Sequence, residues 1–358
     1  MTDQHAVVDE SVMSGHGFYS ANSRPQHVAA AVAFPYLSAA AAAVPISSAP
    51  VTIADLGCAG GANEMEPMAL AIDALHARDR DTPIEVIHTD LPENDFAPLF
   101  ELLDSPASYT TGRQVVYPLV IGRTLYGSLL PDRSLHLAWS GITLHWLSSV
   151  PIAVPGHVYP NLTTGAAREA LRERAAEDWH HFLDERAREL VDGGELVLVA
   201  GASQPDGLSG AEALFTVVGE TLSAMAQAGR LRAGELDRVF YPTWNRTPDE
   251  WLAPFRGDIG ELLEVLDSRL DASDDSETFP QYSRDRDAAA FAAAYTRFVR
   301  AVTEHPFFRS LDTDRSPAAR AAIVEDFYQR LRQQLRDHPE VAAVWHVMSL
   351  RIRRRPRR

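Results

Sequence analysis

Residues 51–77, VTIADLGCAGGANEMEPMALAIDALHA, constrain the fold more than any other stretch. VTIADLG reads as a short buried strand ending in a glycine turn, and the apolar residues after the glycines fall at helical spacing. Gly57, Gly60 and Gly61 let the backbone between them turn sharply and approach a ligand closely. The pattern repeats: PIEVIHTDLP reads as a second strand and NDFAPLFELLD as a second helix, with Asn94 or Asp95 as N-cap. QVVYPLVI, SLHLAWS and ELVLVA supply further strands. The clearest helix, AAREALRERAAEDWHHFLDERARELVDGG, aligns Leu171, Ala175, Trp179, Phe182 (or Leu183), Ala187 and Leu190, and Gly193-Gly194 stops it. Strands alternating with helices specify an α/β protein with a mainly parallel, doubly wound sheet.

The two ends have a different texture. Residues 1–18 read as flexible, and an alanine-rich helix from Gln26 to Val44 should break or kink at Pro35. Beyond about residue 205 most of the chain reads as helix, with DSRLDASDDSETFPQYSRDRD as a charged loop and RIRRRPRR as a solvated, frayed tail. The expected division is a core over 1–204, carrying an N-terminal substrate segment, and a mainly helical cap over 205–358 that closes a pocket. The cap leaves room for one strand returned to the sheet.

Composition removes several classes. A net charge of -16 disfavours nucleic acid and anionic membranes. All 33 basic residues are arginine, so no Schiff-base lysine or phosphate-loop lysine exists. The single cysteine, Cys58, points to a reducing, cytoplasmic setting. The N-terminus has no signal-peptide pattern, and the longest apolar stretch is alanine-rich and holds Pro35, so no stable membrane insertion is expected. No metal is expected: the 13 histidines include no H-E-x-x-H. Ser140 follows a strand, but Ala138 and Ile142 stand where a hydrolase elbow needs glycine.

The glycine turn is not a dinucleotide G-x-G-x-x-G, because Ala59 holds the second glycine's place. Asp-x-Gly-x-x-Gly-Gly, with Asp55 at the strand end, suits a cofactor bearing positive charge. S-adenosylmethionine carries a sulfonium and an ammonium and has no phosphate. Asp90, ending the second strand, can accept two ribose hydroxyls. Either acid could instead cap a turn.

YSANSRPQ, IADLGCAGGAN, HTDLPENDF, TLYGSLLP and LHLAWSGITLHWLSSVP, continued by EDWHHFLDERARELVDGGELVLVA and YPTWNRTPDE, make the chain resemble the SABATH methyltransferases over about residues 15–350. These act on salicylate, benzoate and theobromine-type substrates, and the chain is expected to be a bacterial member, similar to fatty-acid O-methyltransferases. The resemblance implies a Rossmann-like class I methyltransferase sheet with a helical cap. It also implies S-adenosylmethionine as cofactor, S-adenosylhomocysteine as product, and leaves a homodimer open.

By the same resemblance, Tyr19, Ser23 and Asp55 contact the methionine part of the cofactor, Asp90 and Leu91 its ribose and adenine, and Thr124 and Leu125 its adenine. Gln26 and Trp146 hold the substrate carboxylate through an amide and an indole N–H. Trp139, Ile142 and His145 line the pocket wall and Trp244 closes it. Ile142 and Leu125 stand where relatives have aromatic residues, so the expected substrate is a medium-chain fatty acid, with benzoate, salicylate or indole-acetate as the alternative. A non-catalytic cofactor binder and a nitrogen methyltransferase remain as rivals.

Overall fold

The computed structural model describes residues 13, 18, 22–46, 50–152, 154, 156, 158–274, 278–339, 341 and 344–357. Most of the segment expected to be flexible, 1–18, and Tyr19 lie outside the described residues.

Strand β1 (Val51–Leu56) is buried along its whole length, between β2 (Ile84–Asp90) and β4 (Leu135–Gly141), and runs parallel to both. A mostly apolar sequence is what such a position requires, because helices cover both faces of the sheet, and Thr52 and Asp55 are its polar exceptions. β3 (Val116–Gly122) forms one edge, where Pro118 costs no ladder bond to a further strand. β5 (Leu190–Ala202) continues the parallel set beyond β4. β6 (Leu263–Asp274) and β7 (Val344–Arg354) complete seven strands in the order β3-β2-β1-β4-β5-β7-β6, with β7 antiparallel to both of its neighbours.

Two expectations about the C-terminal half need correction. The first part of the charged stretch is strand β6, and the first four residues of the basic tail, 351–354, are the end of β7, inserted between β5 and β6. Arg351 and Arg353 are not frayed: both pair with Glu195, which is fully buried in β5, at 2.6 and 2.7 Å. Opposite charges on adjacent strands thus hide a basic strand inside an acidic protein. Helices Glu212–Gln227, Ala288–Ser310 and Pro317–Asp337 pack around their own core, containing Phe215, Phe291, Tyr295 and Phe327. The alanine-rich segment divides into Arg24–Ala31 and Phe34–Ala43, breaking just before Pro35.

Register decides one feature of the site in advance. Asp55 pairs with His88 on one side and with Trp139 on the other. Residues in register across parallel strands share a face, so these three side chains form one row.

Candidate active site

The turn after β1 is built by positive φ at Gly57 (+91°), Ala59 (+45°) and Gly61 (+82°). A Cβ at Gly57 would stand 2.5 Å from the Thr143 side chain, so no larger residue fits. The amides of Gly57 and Cys58 both donate to the Thr89 carbonyl at 2.9 Å, tying the turn to the end of β2. Asp90 braces it further: its two oxygens accept the Ala59 amide at 2.7 Å and the Leu91 amide at 2.8 Å. Burial pushes the Asp90 carboxyl up, and these two amide bonds oppose the shift.

Two cavities open at the C-terminal ends of the parallel strands. Ser23, Gly57, Asp90, Leu91, Thr124 and Leu125 line the first, all of them expected at the cofactor. Asn63, Glu64 and Tyr126 line it as well, and sequence reasoning missed them. The Asn63 amide donates to Ser23 Oγ at 3.0 Å, joining the glycine turn to the N-cap of helix Arg24–Ala31. Its place directly after the glycines was the available signal.

The second cavity is walled by Trp146, Tyr241, Phe298 and Trp345, with His145, Thr243 and Asn245 among its polar groups. Gln26, Ile142 and Trp146 line both cavities and therefore stand at their junction. Gln26 Oε1 is buried without a hydrogen-bond partner. No residue among those described accepts from the Trp146 indole N–H. Buried polar groups are normally paired, so the unpaired Gln26 Oε1 at the junction points to a ligand. Ile142 is held at φ +54°, a costly conformation for a β-branched residue, where the chain leaves β4.

The loop carrying Trp146 is clamped from below. Arg246, almost fully buried, donates to the Leu144 carbonyl at 2.6 Å and stacks over Trp251 at 4.9 Å. Tyr126 donates to the Trp146 carbonyl at 2.5 Å. The Trp244 amide donates to the His145 carbonyl at 2.7 Å.

Three expected site residues lie elsewhere. Trp244 lines neither cavity: it packs beside Leu147 and Phe240 under the Arg168 guanidinium. Trp139 is fully buried, and its indole N–H donates to Glu64 Oε2 at 2.8 Å. Asp55 is fully buried behind the turn and does not line the first cavity. Its Oδ2 meets His88 Nδ1 at 2.7 Å, and His88 Nε2 meets the Tyr109 hydroxyl at 2.8 Å.

One proton arrangement that satisfies this row runs towards the acid. Tyr109 donates to His88, and His88 donates to Asp55. The remaining Asp55 oxygen has no donor other than a proton shared with the neighbouring Glu64. Burial drives the Asp55 carboxyl up to about 8, the Asp90 charge adds to this, and contact with Glu64 opposes it. Burial also raises Glu64 well above the carboxylate range and lowers His88 to about 4. His88 and Asp55 are thus a neutral imidazole and a proton-sharing acid at pH 7 rather than an ion pair. His145 is pushed down to about 3 by burial and then by the Arg246 charge, so it is also neutral. Burial raises the Cys58 thiol, which removes it as a nucleophile. Ser140 is buried and spends its hydroxyl on the Leu56 carbonyl at 3.1 Å. Among the described residues no group of three or more His, Cys, Asp or Glu could hold a metal ion.

A sheet of this order, a glycine turn at β1 and two joined cavities define a class I cofactor-using fold with a second site for a small molecule. The chain belongs to the SAM dependent carboxyl methyltransferase family, whose model matches residues 10–351. It is 30% identical to Methyltransferase FUS9 of Gibberella moniliformis over 67% of its length, a stretch that spans 66% of that relative, just under two thirds. It is 28% identical to indole-3-acetate O-methyltransferase 1 of Oryza sativa subsp. japonica over 60% of this chain and 62% of that one. Among solved structures, loganic acid methyltransferase with SAH superposes with a TM-score of 0.79 at 19% identity, covering 97% of this chain and 99% of that one. These relatives are fungal and plant proteins, and they give the expected bacterial placement no support.

Proposed function

We propose that the protein transfers a methyl group from S-adenosylmethionine to a carboxylate oxygen of a small hydrophobic acid. The cofactor would occupy the first cavity and the acid the second. One observation carries this reading: Gln26 and Trp146 stand at the junction with their hydrogen-bonding groups open. Gln26 can donate to a carboxylate through its amide nitrogen, not through the open Oε1, and the Trp146 indole N–H can do nothing but donate.

The residues of the first cavity fit the cofactor. Asp90 and Leu91 would hold its ribose and adenine, Thr124 and Leu125 its adenine face, and Ser23 its amino-acid end. Gly57 packs so closely on Thr143 that no side chain fits there, which keeps the turn bare. Asp55 would act through Glu64, which reaches the cavity, rather than by contact. When bound, S-adenosylmethionine supplies an electrophilic methyl group on a sulfonium.

The protein's own task is then to align and to dry the site. A carboxylic acid with a pKa near ~4 is ionised at neutral pH, so no general base is needed. Neutral His145 is consistent with this. Gln26 and Trp146 fix the carboxylate, and exclusion of water makes it more reactive. Phe298 and Val302, on helix Ala288–Ser310, close the second cavity, which supports the capping role expected for the C-terminal half.

The substrate reading shifts from the fatty acid towards a ring-bearing acid. Leu125 lines the first cavity only, so its aliphatic character does not describe the acyl wall. Five aromatic rings and His145 surround the second cavity, which suits a rigid ring body better than an alkyl chain. The relatives named for indole-3-acetate and loganic acid agree with this. The test is methyl transfer to straight-chain acids of roughly six to fourteen carbons, to benzoate, salicylate and indole-acetate, and to xanthine. Ring acids should outrun every alkyl acid, and ester from none of them would sink the reading. A cytoplasmic setting and a homodimer belong to the same proposal and rest on the sequence.

A further inference from the structure

The second cavity is not uniformly apolar. Away from Gln26 it presents a corner formed by His145, Gly201, Thr243, Asn245 and His346. Thr243 is fully buried, and its hydroxyl has no partner. Asn245 spends both amide hydrogens, on the Tyr159 hydroxyl at 2.6 Å and on Asn161 Oδ1 at 3.2 Å. Asn161 donates its own amide to Ser203 Oγ and the Gly207 carbonyl, so its oxygen must accept, and this fixes the orientation of Asn245. Asn245 Oδ1 is left as an acceptor with no donor among the described residues. It lies against Gly201, where any Cβ would collide with it.

The two histidines complete the set. His145 Nδ1 accepts the Gly201 amide at 3.4 Å, which puts the ring proton on Nε2 and makes that nitrogen a donor. His346 Nδ1 donates to the Ser209 carbonyl at 3.1 Å, which leaves its Nε2 as an acceptor. The corner therefore holds one donor, two acceptors and one hydroxyl that can do either.

We infer that this corner binds a hydroxyl group on the body of the substrate acid, remote from the carboxylate held by Gln26 and Trp146. A hydroxyl accepts from His145 and donates to Asn245 or Thr243 at once. A keto oxygen cannot donate and an ammonium cannot accept. The substrate class is thus a hydroxylated ring carboxylic acid. A site built to bond a hydroxyl discriminates strongly against the analogue that lacks it, because its own buried groups are then left unpaired. This inference rests on the carboxyl-methylation reading and narrows it.

The experiment compares acids that differ only by a distal hydroxyl: 5-hydroxyindole-3-acetate with indole-3-acetate, and 3- and 4-hydroxyphenylacetate with phenylacetate. Turnover is measured, and binding of each acid to the protein loaded with S-adenosylhomocysteine is measured by calorimetry. At least one hydroxylated acid should exceed its parent about tenfold in kcat/KM and in affinity. In Thr243→Val and His145→Phe that ratio should fall to within about threefold of unity. Parents turned over as well as every hydroxylated partner would overturn the inference and leave carboxyl methylation standing. A preference unchanged in both variants would also overturn it, since the hydroxyl would then be read elsewhere. No ester and no binding with any acid would remove both.

Discussion

The Trp139 indole N–H donates to Glu64 Oε2 at 2.8 Å, beneath the glycine turn. A residue expected to touch substrate is instead a support for the cofactor side. Trp139→Phe removes the donor and leaves a buried acid short of a bond, at a cost of about 1–3 kcal/mol. For a chain of this size that is a fall of several degrees in melting temperature, at roughly 2–4 °C per kcal/mol. The order of preference among acids should not change. A changed preference in an acid panel would return Trp139 to the substrate wall.

The proton shared by Asp55 and Glu64 predicts a pH dependence of stability in the cofactor-free protein. The folded Asp55 value, about 8, lies above its ordinary 3.8, so its contribution is complete below that ordinary value and is lost as pH rises towards 8. His88 works in the opposite sense. Its folded value, about 4, lies below the ordinary 6.5, so its contribution is present above 6.5 and is lost as pH falls towards 4. Between pH 6.5 and 8 the His88 contribution is already complete while that of the acid pair declines, so melting temperature should fall across that window. Asp55→Asn should flatten the slope. An equal slope in that variant would assign the dependence to other groups.

Gln26 and Trp146 should separate turnover from cofactor binding. Each would make a hydrogen bond to a charged group, worth about 1.5–3 kcal/mol. Gln26→Ala and Trp146→Phe should therefore each lower kcat/KM by roughly 10–100-fold. Cofactor affinity, measured by calorimetry, should change by less than about threefold. An equal loss in both quantities would place these residues at the cofactor.

The C-terminal strand should be indispensable. Glu195 is fully buried and depends on Arg351 and Arg353. Arg351→Ala with Arg353→Ala strands that charge, at a cost of about 3–5 kcal/mol. Glu195→Gln in the same background should recover part of the loss. Thermal unfolding of the three proteins checks this, and a neutral double variant would revive the frayed tail.

The turn at Gly57 and the brace at Asp90 were legible because each is local. A buried strand, a glycine at positive φ and an acid at the next strand end lie within one repeating unit. The division of labour among the three tryptophans was not legible. Trp139 sits inside β4, and its side chain points wherever the strand register sends it, which is into the row with Asp55. Trp146 lies beyond the strand end, on a loop aimed by Arg246, a hundred residues further on, and by Tyr126. Trp244 serves that loop through its backbone amide. Only the packed chain distinguishes a wall from a support.

The sequence by itself determined the parallel half of the sheet and the glycine turn, because short-range periodicity and backbone sterics set those, while the chemical type of the site was implied by the resemblance of its motifs. Tertiary structure alone decided that β6 and β7 enter the sheet. Their charged alternation looks like loop or tail until Glu195, some 150 residues away in sequence, is brought beside Arg351 and Arg353. It also decided that Asp55 lies behind the cavity and that Thr243 and Asn245 face into the second one. Those outcomes depend on register and on pairing between distant segments, and the free energy of such contacts exists only once the chain has closed around them.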